Sequence, residues 1–232
     1  MSTRRIVALA ALGLALLTGV AFGASATLRQ SQITREVLEE PVERVVIRAE
    51  GGKVTVRAGV GDRVLVERHE RWIVSRPEYR RRVLDDELTL RTTCSSVEIA
   101  LRCGIDLDVF VPAEVKEVEV VGDEADIRLR GVSGIVRATT GSGTIRSQRV
   151  DPVVLQTATR SGRIDLDVVG TPTRIVARSE SGDVGIVVPF ATYRVDVDSR
   201  ASDRVIGLLR DDLAPQRIEA SSEDGEVRVR AR

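Results

Sequence analysis

The sequence predicts an all-β fold, a β-solenoid of short stacked strands, preceded by one N-terminal transmembrane helix. Three observations support this prediction. Apolar and polar residues alternate over most of the chain, which is typical of a sheet with one buried face. A glycine corner recurs about every 20 residues, a period typical of stacked repeats. The 232 residues include 36 valines but only 3% aromatic residues, and β-branched side chains favour strands.

The first 28 residues are expected to be a membrane anchor or a signal peptide. Residues 6–28 carry no charge and would span about 34 Å as a helix, enough to cross a bilayer core of about 30 Å. Arg4 and Arg5 precede this segment, so the positive-inside rule places the N-terminus in the cytoplasm and residues 29–232 outside it. The membrane is then a partner of residues 6–28. The alternative is cleavage at Ala24-Ser25-Ala26, which would secrete the domain.

Residues 29–41 are polar, end at a proline and are expected to form a stalk, so that residues 42–232 make up the solenoid domain. Strands are predicted wherever valine, isoleucine or leucine recurs at every second position. Such runs occur at Val54–Val56, Val64–Val66, Leu88–Leu90 and Val97–Val111.

Four similar passages mark the repeat, each with a glycine followed by a polar residue and then isoleucine or valine. Their glycines are Gly143, Gly162, Gly182 and Gly225. A degenerate copy has Asp203 in place of the glycine, and we expect a bulge in that rung. A glycine recurs because each corner needs a positive φ or a close backbone approach. A β-sandwich is the alternative, since it also has many short strands.

The last strand, residues 226–232, is expected to form the terminal edge of the stack. Arg228, Arg230 and Arg232 would lie on one side of it and block pairing with another chain.

Cys94 and Cys103 are separated by eight residues. In an oxidising compartment we expect a disulfide between them. Two buried free thiols are the alternative.

Charge and composition narrow the classes of function. The 35 basic and 35 acidic residues balance, which argues against a nucleic-acid partner. Three Asp-x-Asp pairs have an apolar residue between their carboxylates, so they face solvent and are expected to form cross-strand ion pairs rather than a metal site. They are Asp106/Asp108, Asp165/Asp167 and Asp196/Asp198. No cofactor and no catalytic residue is predicted.

Residues 67–87 depart from the regular repeat, and we expect the interaction surface in this segment. A basic patch with aromatic residues is able to bind anionic headgroups or envelope polymers. A solvated hairpin is the alternative, because acidic residues lie in the same segment. The candidate residues are Arg68, Arg71, Trp72, Arg76, Tyr79, Arg80, Arg81 and Arg82.

The chain resembles a bacterial "putative adhesin" family, whose members are exported β-solenoid domains of unknown function. The resemblance covers about residues 42–232. It rests on the opening Gly51–Val56, the Leu88–Cys103 hairpin with its two cysteines, the Val-Pro steps at Val111-Pro112 and Val188-Pro189, the serial corners, and the closing Asp224–Val229. The family implies no catalytic residues.

The leading hypothesis is therefore a non-enzymatic, membrane-anchored, exported β-solenoid. It would bind or organise an envelope protein or polymer at the bacterial cell envelope. One alternative is an accessory or sensor subunit of an envelope-stress signalling system. A less favoured alternative is a polysaccharide-acting enzyme on a β-helix, which would need clustered carboxylates and aromatic platforms.

Overall fold

The computed structural model describes residues 30–73, 76–94 and 104–232, and in these residues every regular element is a β-strand. The all-β prediction is therefore confirmed. The predicted membrane segment, residues 6–28, lies outside the described residues. Within the described ranges, no helix has the length and apolar character needed to cross a membrane.

Eighteen strands are present in the described part of the chain. The first nine are β1 (Gln30–Val37), β2 (Arg44–Ala58), β3 (Leu65–Trp72), β4 (Glu78–Leu84), β5 (Glu87–Thr93), β6 (Gly104–Val111), β7 (Glu117–Arg130), β8 (Ser133–Ser142) and β9 (Ile145–Gln148). The other nine are β10 (Asp151–Ser161), β11 (Ile164–Asp167), β12 (Arg174–Ser181), β13 (Val184–Val188), β14 (Thr192–Ser199), β15 (Ser202–Ile206), β16 (Leu209–Arg210), β17 (Arg217–Ser222) and β18 (Glu226–Ala231).

The strands pair in two ladders, because each 20-residue period contributes one strand to each. We call them the first and the second ladder. The first ladder has the spatial order β4, β5, β2, β7, β8, β10, β12, β17, β14. The second has the order β1, β3, β6, β2, β7, β9, β11, β13, β18, β15. The long strands β2 and β7 cross the corner and belong to both.

Nearly all of these pairings are parallel. Antiparallel pairing, which a β-sandwich would use throughout, is confined to β1–β3, β3–β6 and β4–β5. Pairing of strands one period apart is the arrangement expected of stacked repeats.

The core lies between the two ladders and is built from rows of aliphatic side chains. In the first ladder one such row runs through Val45, Val118, Val136, Leu155, Ile175 and Ile218, all 0% or 1% exposed. In the second ladder the matching row runs through Val54, Ile127, Ile145, Ile164, Val184 and Val227. Each residue packs on its equivalent in the next rung, so a thin core of valine and isoleucine needs few aromatic rings.

The corner glycines stack directly on one another. A Cβ on Gly143 would overlap the carbonyl oxygen of Ala125, and one on Gly162 would overlap that of Gly143. The same relation holds between Gly225 and Gly182. Glycine recurs at this position because any side chain would strike the backbone of the adjacent rung.

A row of buried hydroxyl groups completes the corners. Five serine or threonine hydroxyls each donate a hydrogen bond to the corner carbonyl of the neighbouring rung. The pairs are Thr140 to Ala125 (3.0 Å), Thr159 to Gly143 (3.4 Å), Ser179 to Gly162 (3.2 Å), Ser222 to Gly182 (2.8 Å) and Ser199 to Gly225 (2.8 Å). These bonds satisfy carbonyl groups that the turn removes from the strand ladders.

Spatial order departs from chain order at the C-terminal end. The strands β17 and β18 insert between the β12/β13 rung and the β14/β15 rung. The prediction that residues 226–232 form the terminal edge is therefore wrong. Arg228 and Arg230 lie on an internal strand, and the edge of the second ladder is β15, which pairs with β18 alone.

The expected bulge with Asp203 at a corner is also wrong. Asp203 lies opposite Val227, in the inward row rather than at the turn, and it is exposed because its rung ends the stack. An inward charge on an edge strand opposes the addition of a further strand. Asp203, which interrupts the sequence repeat, thus lies on β15, the strand at which the second ladder ends.

Spatial and chain order also differ at the N-terminal end. There β2 lies between the β5/β6 rung and β7. The expected stalk, residues 29–41, contains β1, all eight residues of which pair antiparallel with β3. This stretch therefore belongs to the folded domain and is not a separate spacer.

Candidate anion-binding surface

The predicted interaction residues lie on β3, on β4 and between them, at the N-terminal end of both ladders. Two of them, Arg68 and Arg76, are paired with one buried carboxylate instead of forming an open surface. Glu70 is only 1% exposed, and its carboxylate contacts Arg76 at 2.6 Å and Arg68 at 3.3 Å. The guanidinium of Arg68 also covers the ring of Tyr79, 3.9 Å from its centroid. This cluster lies where the aliphatic core ends.

The electrostatics of the cluster follow from the burial of Tyr79 and from the ion pair between Arg76 and Glu70. Burial raises the pKa of Tyr79 to about 12, and the nearby Glu36 carboxylate adds to that rise. The hydrogen bond from Arg76 to Glu70 raises the pKa of Arg76 above its usual value. Arg76 also lies 5.7 Å from the centroid of the Trp72 ring.

Two further arginines of the predicted surface are neutralised by carboxylates. Arg71 binds Asp106 through both terminal nitrogens, at 2.9 and 3.1 Å. Arg81 contacts Glu36 at 2.8 Å. Arg68, Arg71, Arg76 and Arg81 therefore serve the internal electrostatics of this end of the fold.

The remaining two arginines, Arg80 and Arg82, point outward from β4 and are exposed. The strand register brings two more arginines beside them, Arg91 on β5 and Arg48 on β2. Arg80 lies opposite Arg91, and Arg91 lies opposite Arg48, so three arginines stand side by side across three strands. We call Arg48, Arg80, Arg82 and Arg91 the arginine row.

The arginine row is short of acidic partners. Arg80 pairs with Glu78 at 2.5 Å. Arg48, Arg82 and Arg91 form no ion pair and no side-chain hydrogen bond with any residue in the described ranges. Like charges directly opposite each other in a sheet are destabilising. Arg174, Arg217 and Arg194 also lie opposite one another on β12, β17 and β14, but Glu219 pairs with two of those three.

The same row of outward positions continues along the first ladder. After Arg48 it passes through Val121, Thr139 and Ala158 and reaches Arg178 on β12. The side chains of Val121, Thr139 and Ala158 are small, and we call these three residues the small-residue stripe. A groove of 240 Å³ lies over Thr139 and Ala158. Its other lining residues are Arg137, Gln156, Thr157, Arg174, Val176 and Arg178.

A second groove, of 550 Å³, lies on the corner side of the same small residues. Its charged lining residues are Asp123, Glu180 and Glu223 together with Arg160 and Arg178. Acidic side chains thus predominate on the corner side, whereas the arginines on the other side are paired with Glu117 and Glu219.

The outward Asp-x-Asp pairs form the predicted cross-strand ion pairs. Five of these carboxylates contact an arginine on another strand or at the chain end. The pairs are Asp106–Arg71 (2.9 Å), Asp108–Arg57 (2.8 Å), Asp165–Arg146 (3.5 Å), Asp196–Arg217 (3.0 Å) and Asp167–Arg232. Within the described ranges there is no group of three or more metal-ligating side chains.

The predicted disulfide between Cys94 and Cys103 cannot be placed, because Cys103 lies outside the described residues. It stays a prediction.

Reasoning from sequence missed Arg48 and Arg91. Each lies in a regular strand, outside the irregular segment that was singled out. The available signal was that both are arginines at outward positions of alternating runs, but the sequence does not show which strands are neighbours.

No protein-family model matches this chain, and no curated protein matches it. Solved structures do share its fold. A "putative cell adhesion protein" from Clostridium sporogenes is 11% identical, with a TM-score of 0.57, over 88% of this chain and 100% of that one. A "putative adhesin" from Bacteroides fragilis is 10% identical, with a TM-score of 0.47, over 87% and 97%. The likeness to the Clostridium protein supports the resemblance to adhesin-like domains at the level of fold alone.

Proposed function

We propose that this chain is a non-enzymatic exported β-solenoid, held at the cell membrane by residues 6–28, that binds or organises a partner at the bacterial cell envelope. The observation that carries the proposal is the arginine row. It presents three unpaired guanidinium groups on an exposed, rigid sheet face, as a binding scaffold would. The solved Clostridium sporogenes protein that shares the fold carries an adhesion name.

The position of β1 suits a membrane anchor. The strand begins at Gln30, directly after the uncharged segment, and it is paired along its whole length with β3. An anchor in residues 6–28 would therefore hold the N-terminal end of the domain close to the membrane. The arginine row, on β4, β5 and β2, lies at this end. The domain would be a rigid projection rather than a body on a flexible tether.

The ion pairing of the outward carboxylates supports a binding role over a catalytic one. A general acid or base has to exchange a proton with its substrate, and efficient ones have a pKa near the working pH. Asp106 and Asp108 are instead held in ion pairs with Arg71 and Arg57. These ion pairs occupy carboxylate oxygens that a substrate would have to contact.

Export is tested with the full chain fused at its C-terminus to a reporter enzyme that is active only outside the cytoplasm. We expect an active reporter in the membrane fraction. A protein that begins at Thr27 by mass spectrometry would point to the secreted alternative. An inactive reporter would overturn the proposal.

Binding is tested by cosedimentation of the purified full chain with isolated cell envelopes. We expect retention that high salt weakens, and no turnover of envelope glycans. Turnover that one aspartate substitution abolishes would contradict the non-enzymatic proposal.

A further inference from the structure

We infer that the arginine row is the binding site for a linear polyanion, and that the bound chain runs along the first ladder from Arg80 towards Arg178. This inference deepens the proposed function, on which it rests, by naming the chemical class of the partner. It follows from the register of the strands and from the distribution of charge around the small-residue stripe.

The first step is the arrangement of the guanidinium groups. Neighbouring strands are about 4.8 Å apart, so Arg80, Arg91 and Arg48 occupy a line about 10 Å long. Their mutual repulsion is not relieved by carboxylates of the described chain, apart from the contact between Arg80 and Glu78. An external anion with several charged groups would relieve it. Arginine suits this role because its planar fork binds phosphate or carboxylate oxygens in pairs.

The second step is the direction of the site. The line of outward positions that begins at Arg80 and ends at Arg178 crosses seven strands, a distance of about 29 Å. Between the arginines at its two ends lie the small side chains of Val121, Thr139 and Ala158. A single small anion would reach one end only, whereas a linear chain is able to occupy the whole stripe.

The third step is the charge on the two flanks. Asp123, Glu180 and Glu223 on the corner side would repel an anionic chain. Arg137 and Arg174 on the other side line the groove of 240 Å³, where Arg137 is paired with Glu117 and Arg174 with Glu219, so a bound anion would have to share these arginines with the glutamates. The acidic flank would thus steer the chain into this groove.

A flat lipid surface fits the site less well. Headgroups would contact the protruding arginines, but they would gain nothing from a recessed stripe of small residues flanked by carboxylates. A linear polyanion would contact both the arginine row and the stripe of small residues, whereas a membrane would contact the arginine row alone.

The test measures binding of long-chain inorganic polyphosphate to the purified full chain by titration calorimetry over a series of salt concentrations. The variant Arg48→Gln/Arg91→Gln removes two unpaired charges of the row. The matched control, Arg194→Gln/Arg204→Gln, removes two exposed arginines of β14 and β15 that also have no side-chain partner in the described ranges.

We expect the row variant to bind polyphosphate at least about tenfold more weakly per arginine removed at low salt, with a shallower salt dependence. The control should stay within about twofold of the wild type. Orthophosphate should bind far more weakly than the polymer. Equal affinity of the row variant and the wild type would overturn the inference.

Vesicles of phosphatidylglycerol separate the lipid source of phosphate from the polymer. If the arginine row mediates binding to these vesicles and not to polyphosphate, the inference is wrong, while the proposed envelope role stands. If the chain is not exported, the reporter enzyme will be inactive. That outcome would overturn the proposed function independently of whether the chain binds polyphosphate.

A charge reversal shows whether the row serves the fold instead. Arg91→Glu places a carboxylate between Arg80 and Arg48. We expect it to abolish polyphosphate binding and to raise the thermal unfolding midpoint, because attraction replaces repulsion. A lower midpoint would mean that the row is structural and would contradict the inference.

Discussion

Gly182 lies against the carbonyl oxygen of Gly162, so closely that a Cβ on Gly182 would overlap that oxygen. Gly162 bears the same relation to Gly143, and the contact thus repeats from rung to rung. It sets how closely successive corners approach, and it explains why the most regular feature of the sequence is a glycine.

Substitution of Gly182 by alanine should therefore destabilise the fold. The new methyl group can be accommodated only if the backbone of the Gly162 rung moves, and such overpacking costs about 1–3 kcal/mol. Gly185→Ala is the matched control, because its Cβ would meet the Asp165 carboxylate at 3.4 Å and the Ile164 carbonyl oxygen at 3.9 Å without overlap. Urea unfolding of both variants measures the difference. Equal losses of stability would show that the corner contact is not what requires glycine.

Replacement of Glu70 by glutamine should be costly as well. The Glu70 side chain is 1% exposed and faces Arg68, which is 15% exposed, so removing its charge leaves a largely buried guanidinium without a counter-ion. Breaking a buried pair in this way costs about 3–5 kcal/mol.

The control for Glu70 is Glu67→Gln on the same strand. Glu67 pairs with Arg35, which is 72% exposed, and an exposed pair contributes about 1 kcal/mol or less. Chemical denaturation would separate the two effects. A Glu70 variant as stable as the Glu67 variant would mean that the cluster does not support this end of the fold.

Tyr79 should make stability fall at high pH. Its pKa is about 12 in the folded chain against 10.0 for an unperturbed tyrosine, because burial disfavours the phenolate. The unfolded chain therefore loses this proton first. The contribution to stability is complete below pH 10 and is lost as the pH rises from 10 towards 12.

Urea unfolding at several pH values up to 11.5 would measure this loss. Tyr79→Phe should flatten the pH dependence because it removes the titrating hydroxyl. Parallel curves for the variant and the wild type would contradict the assignment to Tyr79.

The predicted disulfide is tested on the exported, unreduced protein. Thiol labelling should modify neither Cys94 nor Cys103, and reduction should lower the free energy of unfolding by about 2–3 kcal/mol. Labelling of both cysteines without reduction would favour the alternative of two free thiols.

Much of the scaffold was predictable from the sequence because its signals are local. Alternation of apolar residues identifies inward positions within one strand, as at Val54 and Val56. The corner glycines predicted the position of one of the two turns in each period. The outward placement of Asp106 and Asp108 followed from the same alternation, and the structure adds their partners, Arg71 and Arg57.

The candidate site was only half predictable. Arg80 and Arg82 were named because they lie in an irregular, charged segment. The arginines Arg68 and Arg76 were named for the same reason, but Glu70 neutralises both of them. Composition shows that charges are present, whereas burial and pairing decide which of them are available to a ligand.

The sequence by itself determined the inward faces of most strands and the four glycine corners, because side-chain alternation and the conformational freedom of glycine act over a few residues. It did not identify β1 as a strand, and it placed Asp203 at a corner where the structure has none. Only the tertiary structure decided which strands are neighbours. In the structure β17 and β18 lie inside the stack, Asp203 lies on an edge strand, and Arg48 lies opposite Arg91. The physical reason is that register between distant strands depends on how the whole core packs, and no short segment contains that information.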